Sequence, residues 1–259
     1  MLNKRAVNII CISAILVLLV LRITGRYAVP VWMFLLPVLL CLPFYVWGAA
    51  NIRSGFFIQT FCNADTAEKV VALSFDDGPH TELTPQILDV LATHKVPAAF
   101  FCIGKNIEGN NHLLQRIHAD GHVIGNHTYS HDYWFDVYSR RKMEEDMEKM
   151  DSVTINATGL QPRLFRPPYG VTNPNLAGAI RSGNYLAIGW NIRSMDTVAQ
   201  DADRLLQRVM NGLRPGAVIL LHDTQEITAG ILAQLIEGIH KKGYRFERID
   251  KMLNVPAYV

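Results

Sequence analysis

The hydrophobic pattern divides the chain into an apolar amino-terminal part and a longer part of alternating periods. Residues 6–21 and 28–50 form two uncharged, mostly apolar runs. A membrane-spanning helix needs about 20 apolar residues, so the second run qualifies and the first lies near the lower limit. Trp32, Tyr45 and Trp47 lie towards the ends of the second run, where interfacial aromatic residues are common. The pattern predicts a hairpin of two transmembrane helices.

A cleaved signal peptide is the alternative interpretation of the first run. No small-residue cleavage site follows it before the second run begins, which favours the hairpin. A hairpin places the amino terminus and the body of the chain on the same side of the membrane. Lys4, Arg5 and Arg53 on that side oppose Arg22 and Arg26 in the short loop, so charge alone does not fix the orientation.

From about residue 69 onward, short β-branched apolar runs alternate with longer stretches of helical period. The predicted strands lie near 70–75, 98–103, 122–125, 163–166, 185–190, 217–221 and 244–248. The predicted helices lie near 85–94, 112–119, 140–156, 175–182, 203–213 and 229–242. This alternation predicts an α/β fold with a parallel sheet and right-handed crossovers. About 180 residues are few for eight units, so we expect a distorted (β/α) barrel of about seven parallel strands, with an open sheet as the alternative.

The sulfur-containing side chains give little evidence of chemistry. Met143, Met147 and Met150 recur at helical spacing in the charged segment 140–156, and we expect them to face the barrel. None of the four cysteines forms a Cys-x-x-Cys pair, so neither a disulfide framework nor a thiolate metal site is indicated. Cys62 is the one cysteine that we expect to be accessible.

Charge is unevenly distributed along the chain. The net charge is +2, but residues 1–53 contain five basic residues and no acidic ones, so the rest of the chain carries a net charge of −3. A slightly acidic body lacks the basic face on which nucleic-acid binding depends. We therefore expect no nucleic-acid partner. An apolar content of 49% also excludes intrinsic disorder.

Two clusters of chemically active residues follow predicted strands. Asp76 and Asp77 end the first strand, and the Gly-Pro that follows allows a turn that brings both carboxylates to one pocket. His127 and His131 follow the third strand, and a helical turn would place them on one face. Two imidazoles with one carboxylate are typical of hydrolytic zinc or non-haem iron sites.

Three more clusters follow other strands, and they contain Arg166, Asp196 and His222. Each residue has a structural interpretation when it is taken alone: a rim ion pair, a helix cap and a buried imidazole with its partners satisfied. In a parallel barrel, however, all five clusters lie at the carboxyl ends of the strands, where active sites form. The sequence therefore predicts an active site at this rim.

The five clusters, in this order, resemble the motifs of the polysaccharide deacetylases of carbohydrate esterase family four, the NodB homology domain. The resemblance covers about residues 69–250. It implies a distorted barrel and an N-deacetylase that depends on a divalent metal ion, with zinc expected. The implied reaction is hydrolytic removal of N-acetyl groups from N-acetylhexosamine-containing glycans such as peptidoglycan or chitooligosaccharides. The implied organisation is a transmembrane part (1–53), a linker (54–68) and a catalytic domain (69–259).

The resemblance also implies roles for single residues. Asp76 matches the general base, and Asp77, His127 and His131 match the metal ligands. Arg166 matches the arginine that orients the base.

For the later motifs, the resemblance implies that the Tyr169 backbone N–H binds the oxyanion and that Asp196 holds the general acid His222. Leu220 matches the apolar wall beside the acetyl group, and Trp190 and Pro168 are further residues that we expect to contact the substrate.

One motif departs from the family pattern. The family often has an aspartate three residues after the tryptophan and an aromatic residue after the final aspartate, whereas this chain has Arg193 and Thr197. Asp196 itself is retained, so the departure concerns the shape of the sugar groove and not the catalytic residues.

Other functions remain open from the sequence. An inactive, membrane-tethered glycan-binding module is one, although such a module needs neither Asp76 nor His222. A non-haem iron oxygenase uses a similar triad, but usually on a jelly roll. A deacetylase of a small amide or of a lipid-linked sugar is a third, because residues 54–68 allow the body to lie close to a bilayer.

The implied substrates also bear on location. Because these glycans are assembled or modified outside the cytoplasm, we expect a membrane protein with two spanning helices and an extracytoplasmic catalytic domain. Arg22 and Arg26 would then lie in the cytoplasm.

Overall fold

The computed structural model describes residues 3–25 and 27–259. Arg26, one of the two arginines of the predicted loop, lies outside the described residues. Two helices begin the chain, α1 (Lys4–Ile23) and α2 (Leu35–Ala50), and a 3₁₀ turn at Val31–Phe34 precedes the second. The side chain of Asn3 caps α1 by accepting the Ala6 N–H. By length and composition, Lys4–Ile23 and Val31–Ala50 are both long and apolar enough to cross a membrane.

The remaining elements alternate as the periodicity predicts. The strands are β1 (Thr60–Phe61), β2 (Val70–Asp76), β3 (Ala98–Cys102), β4 (Val123–Asn126), β5 (Leu164–Phe165), β6 (Leu186–Ile188), β7 (Ile192–Arg193), β8 (Ala217–His222) and β9 (Arg245–Phe246). The helices are α3 (Leu83–His94), α4 (Gly104–Ile107), α5 (Asn111–Ala119), α6 (Arg140–Thr158), α7 (Pro174–Ser182), α8 (Ala202–Gly212), α9 (Glu226–Lys241) and α10 (Ile249–Leu253). Short 3₁₀ turns lie at Phe135–Val137 and Pro168–Gly170.

The strands form one curled parallel sheet in the order β1-β6-β5-β4-β3-β2-β8-β7, with β9 paired to β2. Beyond β1, Asn63 forms an antiparallel bridge with Ala217 of β8. The N–H of Asn191, between β6 and β7, donates to the carbonyl of Val218. These contacts bring the two edges of the sheet together, and the predicted distorted (β/α) barrel is confirmed.

Alternation along β2 fixes which side chains reach the site. Leu73 and Phe75 pack into the larger core cluster, between the sheet and the helices. Ala72 belongs to a separate cluster inside the barrel. Because successive side chains of a strand point to opposite faces, Ser74 and Asp76 share the inner face with Ala72. Asp76 therefore stands at the carboxyl end of the barrel interior.

Three expectations about the body meet different outcomes. The methionines of α6 are fully buried, as predicted. The segment 54–68, expected to be a linker, contributes β1, which pairs with β6. Its two residues are too few to produce an apolar period. The expectation that Cys62 is accessible is wrong, because the side chain is 6% exposed and its Sγ packs against Gly189. This burial raises the pKa of the thiol.

Candidate active site at the carboxyl ends of the strands

Three residues with metal-binding side chains meet just beyond β2 and β4. The ligand atoms of Asp77, His127 and His131 all lie within 4.8 Å of one another. Nε2 of each histidine is 3.4 Å from Oδ1 of Asp77. Nδ1–H of His127 donates to the carbonyl oxygen of Arg166 (2.7 Å), which leaves the Nε2 lone pair for the cluster. Two imidazoles and one carboxylate with open positions fit a divalent metal ion.

The loop that carries the two histidines differs from the helical turn that their spacing predicts. Thr128 and His131 have left-handed backbone conformations, with φ of 68° and 45°. The side-chain oxygen of Asn126 accepts the Thr128 N–H, and the Thr128 hydroxyl accepts the His131 N–H. The prediction of a helical turn is therefore wrong, but the imidazoles still converge, with ring centroids 4.9 Å apart.

Two aspartates of α6 support this loop from outside the barrel. Oδ2 of Asp146 accepts the N–H groups of Tyr129 and Ser130 at 3.1 and 3.2 Å. Oδ1 of Asp151 accepts the side-chain amide of Asn126 at 2.7 Å. Neither aspartate stands out in the sequence, because α6 is rich in charge and an acid that faces inward there resembles its solvated neighbours.

Electrostatics place Asp77 and His131, two of the three potential ligands, in the protonation state that binds metal. For His127, burial alone would lower the pKa, but the charges of Asp76 and Asp77 outweigh it and raise that pKa. Burial favours the neutral form of Asp77, but the hydrogen bond and charge of His127 outweigh it and lower the pKa of Asp77 to about 2. Burial, together with the charge of His127, lowers the pKa of His131 to about 4. Near neutral pH Asp77 is therefore an anion and His131 a neutral imidazole, as metal coordination requires.

Asp76 is held by a fully buried arginine. Nη1 of Arg166 donates to Oδ1 of Asp76 at 2.6 Å and to the hydroxyl of Ser74 at 2.9 Å. Nη2 donates to the carbonyl of Gly189 at 3.2 Å, and the guanidinium lies 4.0 Å from the centre of the Phe101 ring. Oδ2 of Asp76 lies 3.8 Å from Nε2 of His127, so this carboxylate has one oxygen fixed and one oxygen facing the triad.

A second buried carboxylate holds the histidine at the end of β8. Nδ1 of His222 lies 2.8 Å from Oδ1 of Asp196, and the backbone N–H of His222 donates to Oδ2 at 2.7 Å. The hydroxyls of Ser194 and Thr228 also donate to Asp196. Burial alone would lower the pKa of His222, but the hydrogen bond and charge of Asp196 outweigh it and raise that pKa. Asp196 therefore stabilises the charged form of His222.

The residues expected to contact a substrate lie at different depths. The backbone N–H of Tyr169 has no acceptor among residues 3–25 and 27–259, and its ring packs edge-on against His131 with centroids 5.0 Å apart. Trp190 is half-buried, whereas Pro168 and Leu220 are buried, the latter being 2% exposed. The geometry leaves Tyr169 and Trp190 open to a ligand and places Pro168 and Leu220 within the packing around the site.

Asp223 is a buried acid that the sequence analysis gave no role. The hydroxyl of Thr84 donates to its Oδ2 at 2.5 Å, and its carboxylate packs so closely on Gly78 that a Cβ there would lie 2.0 Å from it. Burial raises the pKa of Asp223 to about 7. Its position next to His222 in the sequence is the only signal that could have indicated a role. Its contacts show that it packs under the turn after Asp77.

The chain is similar in sequence to known deacetylases. The family model described as polysaccharide deacetylase matches residues 63–188. A peptidoglycan-N-acetylglucosamine deacetylase of Bacillus cereus is 36% identical over 186 residues, which are 70% of this chain and 67% of the relative. A chitooligosaccharide deacetylase of Sinorhizobium fredii is 30% identical over 202 residues, which cover 73% and 94% of the two chains.

Solved structures show the same fold. The crystal structure of the Bc1960 peptidoglycan N-acetylglucosamine deacetylase superposes with a TM-score of 0.72 at 32% identity, covering 76% of this chain and 93% of the other. The chain therefore belongs to the polysaccharide deacetylase family. Its predicted class is confirmed: it is a hydrolase of the family that removes N-acetyl groups from glycans.

Proposed function

We propose that the chain is a membrane-anchored, zinc-dependent N-deacetylase of N-acetylhexosamine-containing glycans. The observation that carries this proposal is the convergence of three groups at one rim. These are the metal-binding triad around Asp77, the Asp76–Arg166 pair and the Asp196–His222 pair. Two imidazoles and a carboxylate are ligands typical of hydrolytic zinc.

The pairs divide the proton transfers of amide hydrolysis between them. The metal ion, when bound, supplies Lewis-acid polarisation of the acetyl carbonyl and acidification of water. Asp76 accepts a proton from the attacking water, and Arg166 keeps its carboxylate oriented. The free N–H of Tyr169 donates to the oxygen on which negative charge develops. His222, kept protonated by Asp196, gives its proton to the departing amine, which is a poor leaving group without it.

Exposed aromatic side chains beside the site support a glycan as the substrate. Tyr133 and Trp134 are 74% and 62% exposed, and Tyr169 is 48% exposed. Their rings form a continuous ledge, with centroids 5.1 Å apart for Tyr133–Trp134 and 6.3 Å apart for Tyr133–Tyr169. An exposed apolar ledge at the rim of a polar site is typical of a binding surface. The flat apolar faces of pyranose rings suit such a ledge better than a small amide does.

The amino-terminal helices support attachment to a membrane. The N–H of Lys4 at the start of α1 donates to the carbonyl of Phe56, so the amino terminus lies beside the body, as a hairpin requires. We propose that the body is extracytoplasmic, because the relatives act on peptidoglycan and chitooligosaccharides by name. Arg22 and Arg26 would then form the cytoplasmic loop.

The test is acetate release from a panel of N-acetylated glycans by the full chain in detergent. We expect release from at least one glycan, its loss after chelation and its return when zinc is added. The variant His127→Ala should neither hold zinc nor release acetate. The control Arg141→Gln changes an exposed residue of α6 and should behave like the parent. Acetate release that survives chelation, or none from any glycan, would overturn the proposal.

A further inference from the structure

A cavity of about 290 Å³ lies between the end of α2 and the catalytic rim, near the lower size limit of small-molecule sites. It is lined by Ala50, Asn51, Ile52, Arg53, Tyr169, Gly170, Trp190, Asn191 and Arg193. Four of these residues end α2 or directly follow it. The other five belong to the turn at Tyr169 and to the segment that runs from Trp190 to Arg193 at the end of β7. One cavity therefore joins the membrane-proximal segment to the site.

Hydrogen bonds fix α2 to the catalytic rim. The N–H of Thr172 donates to the carbonyl of Ala49 at 3.0 Å, and its hydroxyl donates to the carbonyl of Gly48 at 3.2 Å. The hydroxyl of Ser54 also donates to Gly48 at 3.0 Å. Carbonyls in the last turn of a helix have no partners within the helix, and here the body supplies them. Thr172 follows Tyr169 by three residues, so the rim faces the surface of the membrane that α2 enters.

The cavity carries positive charge that no carboxylate neutralises. Its lining holds two arginines, Arg53 and Arg193, and no acidic residue among the described parts of the chain. Both arginines are exposed, and neither forms an ion pair with an acidic group of residues 3–25 or 27–259. The guanidinium of Arg193 lies 5.9 Å from the centre of the Trp190 ring. Guanidinium groups match phosphate oxygens in geometry and charge.

The cavity is also close to the site of reaction. Tyr169 lines it, and the ring of Tyr169 contacts the potential metal ligand His131. A sugar whose acetamido group reaches the triad would extend its neighbouring group towards the cavity. Because the cavity begins at the last residue of α2, that group would lie at the level of the polar membrane surface.

We propose that the substrate is a lipid-linked glycan. Its linking phosphate binds between Arg53 and Arg193, while its N-acetylated sugar reaches the triad and its lipid remains in the bilayer beside α2. This inference rests on the proposed deacetylase function and specifies its substrate class. It also gives a role to Arg193. The family often has an aspartate at this position, and the negative charge of an aspartate would repel a phosphate, whereas the positive charge of Arg193 attracts it.

The experiment compares three substrates that carry the same N-acetylglucosamine oligosaccharide. The first is linked to a polyprenyl diphosphate, the second carries a diphosphate without lipid, and the third is the neutral free oligosaccharide. The full chain in detergent is assayed with each by acetate release. We expect the highest kcat/KM for the lipid-linked form. In Arg53→Gln and Arg193→Gln, we expect the ratio of kcat/KM for the lipid-linked form to kcat/KM for the neutral form to fall at least about tenfold. The reason is that each variant loses a charge-assisted contact. Arg141→Gln should leave the ratio unchanged.

The outcomes separate this inference from the proposed function. Equal use of all three substrates, or a ratio that neither arginine variant changes, would overturn the inference while leaving a deacetylase. Equal preference for both diphosphate forms would show phosphate recognition without a lipid, and would overturn it as well. Failure to release acetate from any substrate would instead refute the deacetylase function.

Discussion

Replacing Arg166 with methionine tests whether the buried Asp76–Arg166 pair organises the site. The arginine is fully buried, and its loss leaves Asp76, itself 3% exposed, without its ionic partner. Ser74 and Gly189 lose a donor in the same variant. Methionine fills much of the vacated volume because its side chain is long, flexible and apolar. The perturbation therefore removes mainly charge and hydrogen bonds, with little cavity formation.

The expected loss of stability in Arg166→Met follows from the unpaired carboxylate of Asp76. Removing one partner of a buried ion pair destabilises a protein by about 3–5 kcal/mol. In an Asp76→Asn background Arg166 is itself an unpaired buried charge, and replacing it leaves no charge in the pair. The same replacement should therefore cost less, because the loss of about 1–3 kcal/mol for the unsatisfied acceptors is offset by the removal of that unpaired charge. At about 2–4 °C per kcal/mol for a domain of this size, Arg166→Met should lower Tm by about 6–20 °C alone and by markedly less in the second background.

The assay is thermal unfolding of the zinc-loaded full chain in detergent, followed by far-ultraviolet circular dichroism at one scan rate. Four proteins complete the cycle: the parent, each single variant and the double variant. We expect the double variant to be more stable than Arg166→Met, since it no longer buries an unpaired charge. Equal decreases in Tm for Arg166→Met in both backgrounds would refute the reasoning, because they would mean that the two charges do not interact.

Three further predictions address the separate roles at the site and its location. Asp76→Asn should retain zinc but lower turnover by about 10²–10⁴-fold, whereas Asp77→Asn should lose both; equal metal loss in elemental analysis would contradict the assigned roles. Asp196→Asn should lower the pKa of His222, so the alkaline limb of kcat/KM should move to lower pH, because the general acid must be protonated; an unchanged limb in the pH profile would exclude this coupling. Alkaline phosphatase fused after Val259 should be active and a fluorescent protein that folds in the cytoplasm should be dark; the reverse result would place the body in the cytoplasm.

The sequence predicts the barrel well because its signals are strong and local. Buried parallel strands require continuous apolar runs, and the seven predicted strands all occur near their expected positions. The polar residues that directly follow these runs must meet at one rim, which is why Asp76, His127, Arg166 and His222 come together as expected. The parallel topology alone therefore accounts for the predicted convergence of these residues.

The remaining features depend on contacts that leave no local pattern. β1 and β7 are two residues long, so neither forms a recognisable apolar period. Asp146 and Asp151 act on a loop some twenty residues away in sequence, and only packing of α6 against the barrel reveals them. The cavity between Arg53 and Arg193 likewise requires the end of α2 to be placed against the rim.

Backbone conformation shows why the rim could not be read from spacing. Five non-glycine residues there have positive φ: Asp77, Thr128, His131, Tyr169 and Met195. Such conformations cost of the order of 1–3 kcal/mol each and persist only where surrounding contacts impose them. Three of the five have expected roles at the site: Asp77 and His131 are potential metal ligands, and Tyr169 has the free N–H. A helical turn would satisfy the histidine spacing without strain. The chain adopts a strained loop instead, because its backbone N–H groups donate hydrogen bonds to the side chains of Asn126, Thr128 and Asp146. That loop turns both imidazoles towards the carboxylate after β2.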